Sequence, residues 1–190
     1  MKEILFYSLN FCLFIYQLTN GSTQTECLNL FDNLFISPFI LEKAYSKTLI
    51  KPFKLKSMEY GMFELDELGI WYIKDLNELL KYRLYVHSGL IYDSLGYPFN
   101  TLEQKSIYVM DIEGNIFVES NNTGIVKHHS AFFDGNPVAS AGSIIIIQGK
   151  IIFLDNRSGH YQPSKNFLTQ LVQRFQELGV DLKNTTIEYN

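Results

Sequence analysis

Residues 144–154 read IIIIQGKIIFL, the longest apolar stretch in the C-terminal half of the chain. Its two apolar runs are separated by Gln148-Gly149, which is typical of the two-residue turn of a β-hairpin. Four successive isoleucines leave no polar face, so the first strand is expected to be covered on both sides and to lie at the centre of a sheet. The stretch therefore predicts a central hairpin around which the remaining elements pack.

The sequence on either side predicts a second hairpin and one long helix. Glu113-Gly114-Asn115 separates the apolar segments 107–110 and 116–118, as a hairpin turn does. Pro163-Ser164 begins a helix that Gly179 ends, and the apolar residues between them fall on one face. Residues 185–189 are a candidate last strand. Together these elements predict an α+β domain in which a mostly antiparallel sheet carries the C-terminal helix.

The first residues have the layout of a secretory signal peptide. Residues 4–18 carry no charge, Lys2 precedes them, and small or polar residues follow at positions 19–22. On this interpretation residues 1–22 are a signal and the protein is secreted or exported. Polar residues interrupt the apolar run, so the alternative is a buried amphipathic helix of a cytoplasmic protein. Residues 23–82 are predicted to be a helical N-terminal part, and residues 83–190 the α+β core domain.

Composition and charge exclude several classes of protein. With 190 residues, 46% of them hydrophobic and 15% aromatic, the chain can bury a core and is not intrinsically disordered. A net charge of −4 provides no basic surplus for phosphates, so general nucleic-acid binding is not expected. Two cysteines are too few for a disulfide framework. Lys51, Lys54 and Lys56 form a small basic cluster that is expected to be a solvated face.

Histidines and hydroxyl groups concentrate beside the central hairpin. His128-His129-Ser130 precedes the hairpin, and Ser158-Gly159-His160-Tyr161 follows it. Segments that flank a hairpin can meet at one end of the sheet, where the start of the long helix would add free N–H groups. The sequence therefore predicts a cleft with imidazoles and hydroxyls at that end.

Several interpretations of these residues are open. In one, His129 and His160 are buried and bonded to the backbone, while Ser158 and Tyr161 shape the turn. In another, a nucleotide-type ligand binds there, with Tyr161 stacking on it and His160 bonding a ribose hydroxyl. A metal site is not expected, because no His-x-Glu-x-x-His or paired-cysteine spacing occurs. A Ser-His hydrolase with Asp155 as third member lacks the G-x-S-x-G elbow.

Three segments of the sequence resemble a known family, and they occur in the same order as in that family. They are HHSAFFDGNPVASAGSIIIIQGKIIFLDNRSGHYQPSKNFLTQLVQRFQELGVDL at residues 128–182, GLIYDSLGYPFNT at residues 89–101 and SIYVMDIEGNIFVES at residues 106–120. This pattern is similar to the C-terminal domain of plant IQ-motif calmodulin-binding proteins of the IQM type. It also resembles domains of bacterial secreted effectors and polymorphic toxins, and more loosely ADP-ribosyltransferase toxins, which bind NAD.

The resemblance implies a set of site residues. The six that match the family pattern are His129, His160 and Tyr161 as catalytic candidates, and Ser130, Ser158 and Gly159 as ligand-binding candidates. Ala131 stands where relatives commonly have a second serine, which puts a Ser-Ser role in doubt. No IQ motif, that is Ile-Gln with following basic residues, occurs in the chain, so calmodulin is not an expected partner. The glutamate typical of ADP-ribosyltransferases has no obvious counterpart, and NAD is the cofactor that this likeness implies.

Together the residues and the resemblance favour an exported effector- or toxin-like domain. Its His/Ser/Tyr cleft is expected to bind a small anionic or nucleotide-type ligand and to perform group transfer of the ADP-ribosyltransferase type, with a host or target protein as partner. The alternative is a non-catalytic protein-interaction domain in which the same residues brace the fold.

Overall fold

A computed structural model describes residues 35–45, 52–59, 72–119, 126 and 128–190. Ser37–Asn190 forms one compact unit. The candidate signal at residues 1–22 lies outside the described residues, as do both cysteines. The domain boundaries at residues 22 and 82 therefore stay predictions.

The element order confirms the α+β class. Three α-helices are described, α1 (Pro38–Tyr45), α2 (Leu76–Leu80) and α3 (Lys165–Glu177), together with a 3-10 helix at His129–Phe132. The strands are β1 (Tyr85–His87), β2 (Leu90–Tyr92), β3 (Ser106–Met110), β4 (Ile116–Val118), β5 (Ser140–Ile147), β6 (Lys150–Asp155) and β7 (Thr186–Glu188). No helix in these ranges is long and apolar enough to cross a bilayer.

The predicted hairpin lies at the centre of the main sheet. The five strands follow the order β4-β3-β5-β6-β7, so β5, which contains the four isoleucines, is the middle strand. All neighbours are antiparallel except β6 and β7, which confirms a mostly antiparallel sheet and the candidate last strand. The strands β1 and β2 form a separate two-stranded hairpin.

The helix covers one face of this sheet. Ser164 stands at the N-cap position of α3, Gly179 follows the end of the helix with a φ of 83°, and the helix packs on β5. Five residues of this interface are completely buried: Ile144, Ile146, Leu168, Leu171 and Phe175. Periodicity therefore predicted both the helix and the face that it buries.

The isoleucine strand is not covered equally on its two sides. Ile144 and Ile146 have no exposed surface, whereas Ile145 and Ile147 are half-buried. The expectation of full cover on both sides is therefore wrong for the second half of β5. The reason is that alternate side chains point to opposite faces, and α3 covers only one of them.

The other face is covered by the 3-10 helix and the segments around it. The second apolar cluster contains Val109, Phe117, Ala141, Phe132 and Tyr161. The aromatic rings in the 3-10 helix and the residue after it make edge contacts, Tyr82 with Phe132 at 5.7 Å and Phe117 with Phe133 at 5.2 Å between centroids. The residues with candidate site chemistry lie in these segments.

A close approach between β5 and β6 explains the glycine at position 142, in the run of small residues before the isoleucines. A Cβ atom on Gly142 would lie 2.0 Å from the carbonyl oxygen of Asp155. No side chain fits at that distance, so glycine is required for packing at this position.

Residues 52–59 form an extended segment on the surface of the core, and all of them are exposed or half-buried. Lys56 and Val138 exchange two backbone hydrogen bonds of 2.7 and 3.0 Å, and the Glu59 amide donates to the His160 carbonyl at 2.8 Å. Lys54 is exposed, as expected for a solvated face, but Lys56 is half-buried with its ammonium 2.5 Å from Glu59 Oε1. The prediction of a solvated basic face therefore holds for Lys54 only, and Lys51 lies outside the described residues.

Candidate functional site

The two histidine segments meet, as their positions beside the hairpin predict. The Ser130 hydroxyl lies 3.1 Å from His160 Nδ1, and the rings of His128 and His160 are 5.0 Å apart with an angle of 37° between them. We call His128, His129, Ser130 and His160 the histidine cluster. It joins the 3-10 helix to the turn that follows β6.

His129 is the buried member of this cluster. Its Nε2 lies 2.9 Å from the Gly142 carbonyl oxygen, so the ring must donate its N–H there. The pKa of His129 is lowered to about 4, mainly by burial; the charges of His160 and His128 also lower it, whereas the hydrogen bond to the Gly142 carbonyl and the charge of Asp155 oppose the shift. His129 is therefore neutral at pH 7, and one of its two nitrogens is committed to the backbone.

Tyr161 is completely buried, and its hydrogen bonds stabilise the turn after β6. Its hydroxyl donates to the Asn136 carbonyl at 2.7 Å, and its amide donates to the Ser158 hydroxyl at 3.3 Å. Ser158 is itself buried. A stacking role for Tyr161 would require its ring to leave the apolar cluster.

The six candidate residues therefore differ in access. His129, Ser130, Ser158 and Tyr161 are buried, His160 is half-buried, and Gly159 is exposed with open space around it. The structure brings His160 and Ser130 together. Their catalytic and ligand-binding roles stay predictions.

Asp155 is engaged on the strand side of the cluster. Its Oδ1 accepts the amides of Ser143 and Arg157 at 2.7 and 3.0 Å, and its Oδ2 lies 3.2 Å from Lys105 Nζ. The Tyr108 hydroxyl donates to its backbone carbonyl at 2.9 Å. These bonds hold the carboxylate as a link between β5, β6 and the chain before β3.

Metal ligands do not gather in the described part of the chain. No group of three or more His, Cys, Asp or Glu side chains there could hold a metal ion.

A concave apolar surface lies beside the cluster, and the adjacent pair Phe132-Phe133 is the only local pattern that points to it. It is an open groove of about 470 Å³. Its apolar lining includes Leu55, Ile73, Leu79, Ile112, Phe133 and Pro137. We call this surface the apolar groove. It is assembled from four separate segments, so no single motif could predict it.

Charged groups line the same groove. Asp111 and Asp134 lie along it together with Lys74. Burial raises the pKa of Asp111, while hydrogen bonds from Asn115 and the Glu113 amide lower it. Lys74 also lines a neighbouring, polar groove of about 540 Å³.

One protein-family model matches the part of the sequence that holds the site. Residues 78–168 match the family model of the IQ motif-containing protein middle domain. The match includes β1 to β6, the histidine cluster and the start of α3, so the chain resembles IQM-type proteins in the region that holds the site. The expected resemblance was to their C-terminal domain, and the match is to their middle domain.

Two proteins of Arabidopsis thaliana are similar to this chain. IQ domain-containing protein IQM1 is 31% identical over 85 residues, which are 45% of this chain and 17% of that protein. IQ domain-containing protein IQM4 is 27% identical over 85 residues, 45% of this chain and 16% of that protein. The chain thus aligns with about one sixth of each relative. No solved structure matches the chain. The likeness to bacterial effector and toxin domains stays a prediction.

Proposed function

We propose that this chain is a non-catalytic protein-interaction domain of the IQM-like type, and that partners dock in the apolar groove. The observation that carries this proposal is the contrast in exposure within one region. Leu55 and Ile112 are 42% and 41% exposed in the groove, whereas His129 and Tyr161, two of the three catalytic candidates, are 8% and 0% exposed. Exposed apolar side chains in a concave surface are typical of recognition sites.

The histidine cluster and Tyr161 act as braces in this proposal. The Tyr161 hydroxyl bonds the Asn136 carbonyl, and Asn136 lines the groove. His129 ties the 3-10 helix to β5 through the Gly142 carbonyl. Because Phe132 and Phe133 follow directly in the chain, these bonds position one wall of the groove.

The Arabidopsis relatives are named as IQ domain-containing proteins, so calmodulin has to be considered as a partner. Calmodulin takes amphipathic helices in its groove. The dipeptide Ile147-Gln148 occurs here at the end of β5, and Gln148 and Gly149 have φ values of 48° and 77°. This dipeptide forms a hairpin turn, so it does not supply a helix for calmodulin, and a different protein partner is proposed.

A site-specific crosslinking experiment tests the docking surface. A photoreactive amino acid is placed at Ile112 in the groove or at Ile152 on β6, which is 39% exposed and does not line the groove. We expect a protein adduct in cells at position 112 and none at position 152. Equal adducts at both positions, or none at 112, would argue against the groove.

The role of the braces is tested separately with Tyr161→Phe. This change removes the hydroxyl bond to Asn136, and we expect it to lower the free energy of unfolding by about 1 kcal/mol. It should also weaken the crosslink at position 112, because the groove wall loses its support. Consumption of NAD by the wild-type protein would instead support group transfer.

A second candidate function is binding of a small anion at the exposed edge of the histidine cluster. The observation that favours it is the 5.0 Å approach of the His128 and His160 rings next to exposed Gly159. Thermal shift with NAD, nucleotides and phosphate distinguishes it. A shift that is present in the wild type and lost in His160→Ala would support an anion site, whereas equal melting curves with and without these compounds would eliminate it.

A further inference from the structure

We propose that the apolar groove takes a basic amphipathic segment of a partner protein, in which large apolar anchors alternate with Lys or Arg side chains. The inference rests on the proposed function and adds the chemistry of the partner.

The walls of the groove are held by backbone hydrogen bonds. The Phe53 amide donates to the Ile112 carbonyl at 2.8 Å, which fixes residues 52–59 against the turn between β3 and β4. The paired bonds of Lys56 with Val138 fix the same segment against the loop after the 3-10 helix. A groove that exists before binding avoids much of the ordering cost that a flexible surface incurs.

The lining suits apolar anchors of a short segment. Phe132 and Ile73 are buried in its floor, and Leu55 and Ile112 present exposed surface at its rim. The groove is open and has a volume of about 470 Å³, so it can contact a few apolar side chains of a partner at its surface without enclosing them.

The charges decide the sign of the partner. Asp111 and Asp134 contribute two carboxylates to the lining, and Lys74 contributes one ammonium. Glu113 lies close enough to Asp111 for its charge to raise the pKa of that carboxyl. The nearby Lys56 is matched by Glu59 at 2.5 Å, so this pair adds no net positive charge. An excess of carboxylates beside an apolar floor complements Lys and Arg around apolar anchors.

The test measures binding of a defined peptide. The probe is a fluorescein-labelled peptide of about 15 residues in which Leu and Phe recur at helical spacing and Lys occupies the other positions. Its partner probe has every Lys replaced by Glu. We expect fluorescence anisotropy to show binding of the Lys peptide that weakens as salt is added, and no binding of the Glu peptide.

Two variants of the protein test the lining, each with a matched control. Ile112→Ser removes an exposed apolar contact and should weaken the Lys peptide about tenfold, whereas Ile152→Ser should not change its affinity. Asp134→Asn removes one carboxylate at a residue with a φ of 53°, which Asn tolerates, and should weaken binding about threefold. Its control is Glu103→Gln, another exposed acid with a positive φ, 63°.

The outcomes separate the partner chemistry from the proposed function. Equal binding of the Lys and Glu peptides, or equal loss in the groove variants and their controls, would overturn the inference. If a protein adduct forms at position 112 but the Lys peptide does not bind, the docking surface stands and the basic partner is wrong. If neither is observed, both proposals fail.

Discussion

The histidine cluster and the apolar groove both include residues of the 3-10 helix, yet their side chains differ in exposure. In the cluster, His129 and Ser130 carry chemically versatile groups that are buried and bonded within the protein. In the groove, Leu55 and Ile112 carry no reactive group and remain exposed. Titratable and hydroxyl side chains can therefore stabilise the fold from inside, while an exposed apolar surface without reactive groups is the proposed docking site.

The largest expected change in stability comes from a substitution beside the histidine cluster. Gly142→Ala would place a methyl group 2.0 Å from the Asp155 carbonyl oxygen and would displace the carbonyl that holds His129. We expect a loss of about 3 kcal/mol or more in the free energy of unfolding, measured by urea titration. Gly159→Ala is the matched control, because nothing lies within 4 Å of its added Cβ. Equal stability of the two variants would contradict the close approach.

The next effect is a pH dependence that arises from His129. Its pKa is lowered from 6.5 to about 4 in the folded protein, so below pH 6.5 the unfolded state binds the proton more readily than the folded state. The contribution of this residue to stability is therefore complete above pH 6.5 and is lost as the pH falls towards 4. We expect a decrease of at most about 3 kcal/mol over that range.

Comparison with His129→Leu isolates this effect. Leu does not titrate, so the difference in unfolding free energy between wild type and variant should shrink as the pH falls from 6.5 to 4. A constant difference across that range would mean that His129 is not held neutral by the fold.

The smallest effect is expected in the groove. Ile112→Ser changes a side chain that is 41% exposed, and its stability should remain within about 0.5 kcal/mol of the wild type. Thermal unfolding measures this, with Ile152→Ser as the control of similar exposure. A large destabilisation at Ile112 alone would mean that the groove is part of the core, and the contrast between the two regions would disappear.

Local patterns predicted the elements and part of the cluster. The turn at Gln148-Gly149 and the α3 helix follow from turn residues and helical spacing, and His160 meets Ser130 and His128 because the two segments flank the same hairpin. Such features depend on residues that are near in sequence or joined by one hairpin.

The burial of Tyr161 and the groove could not be predicted in the same way. Both depend on pairings between distant segments, such as Lys56 with Val138, which carry no periodic signal. The prediction that Ile145 and Ile147 are fully covered was wrong for a related reason. A run of isoleucines does not reveal which elements will pack against each face of the strand.

The 52–59 segment has a consequence for the order of folding. The backbone of Lys54 bonds the side chain of Gln170, 116 positions further along the chain, and such a long closure carries a high entropic cost. We therefore expect this segment to dock after the central hairpin has formed and to open before the rest unfolds, with faster hydrogen exchange at Phe53 and Lys56 than in β5. A bound partner would slow exchange at these two amides first. Their exchange rates would therefore show directly whether the groove is occupied.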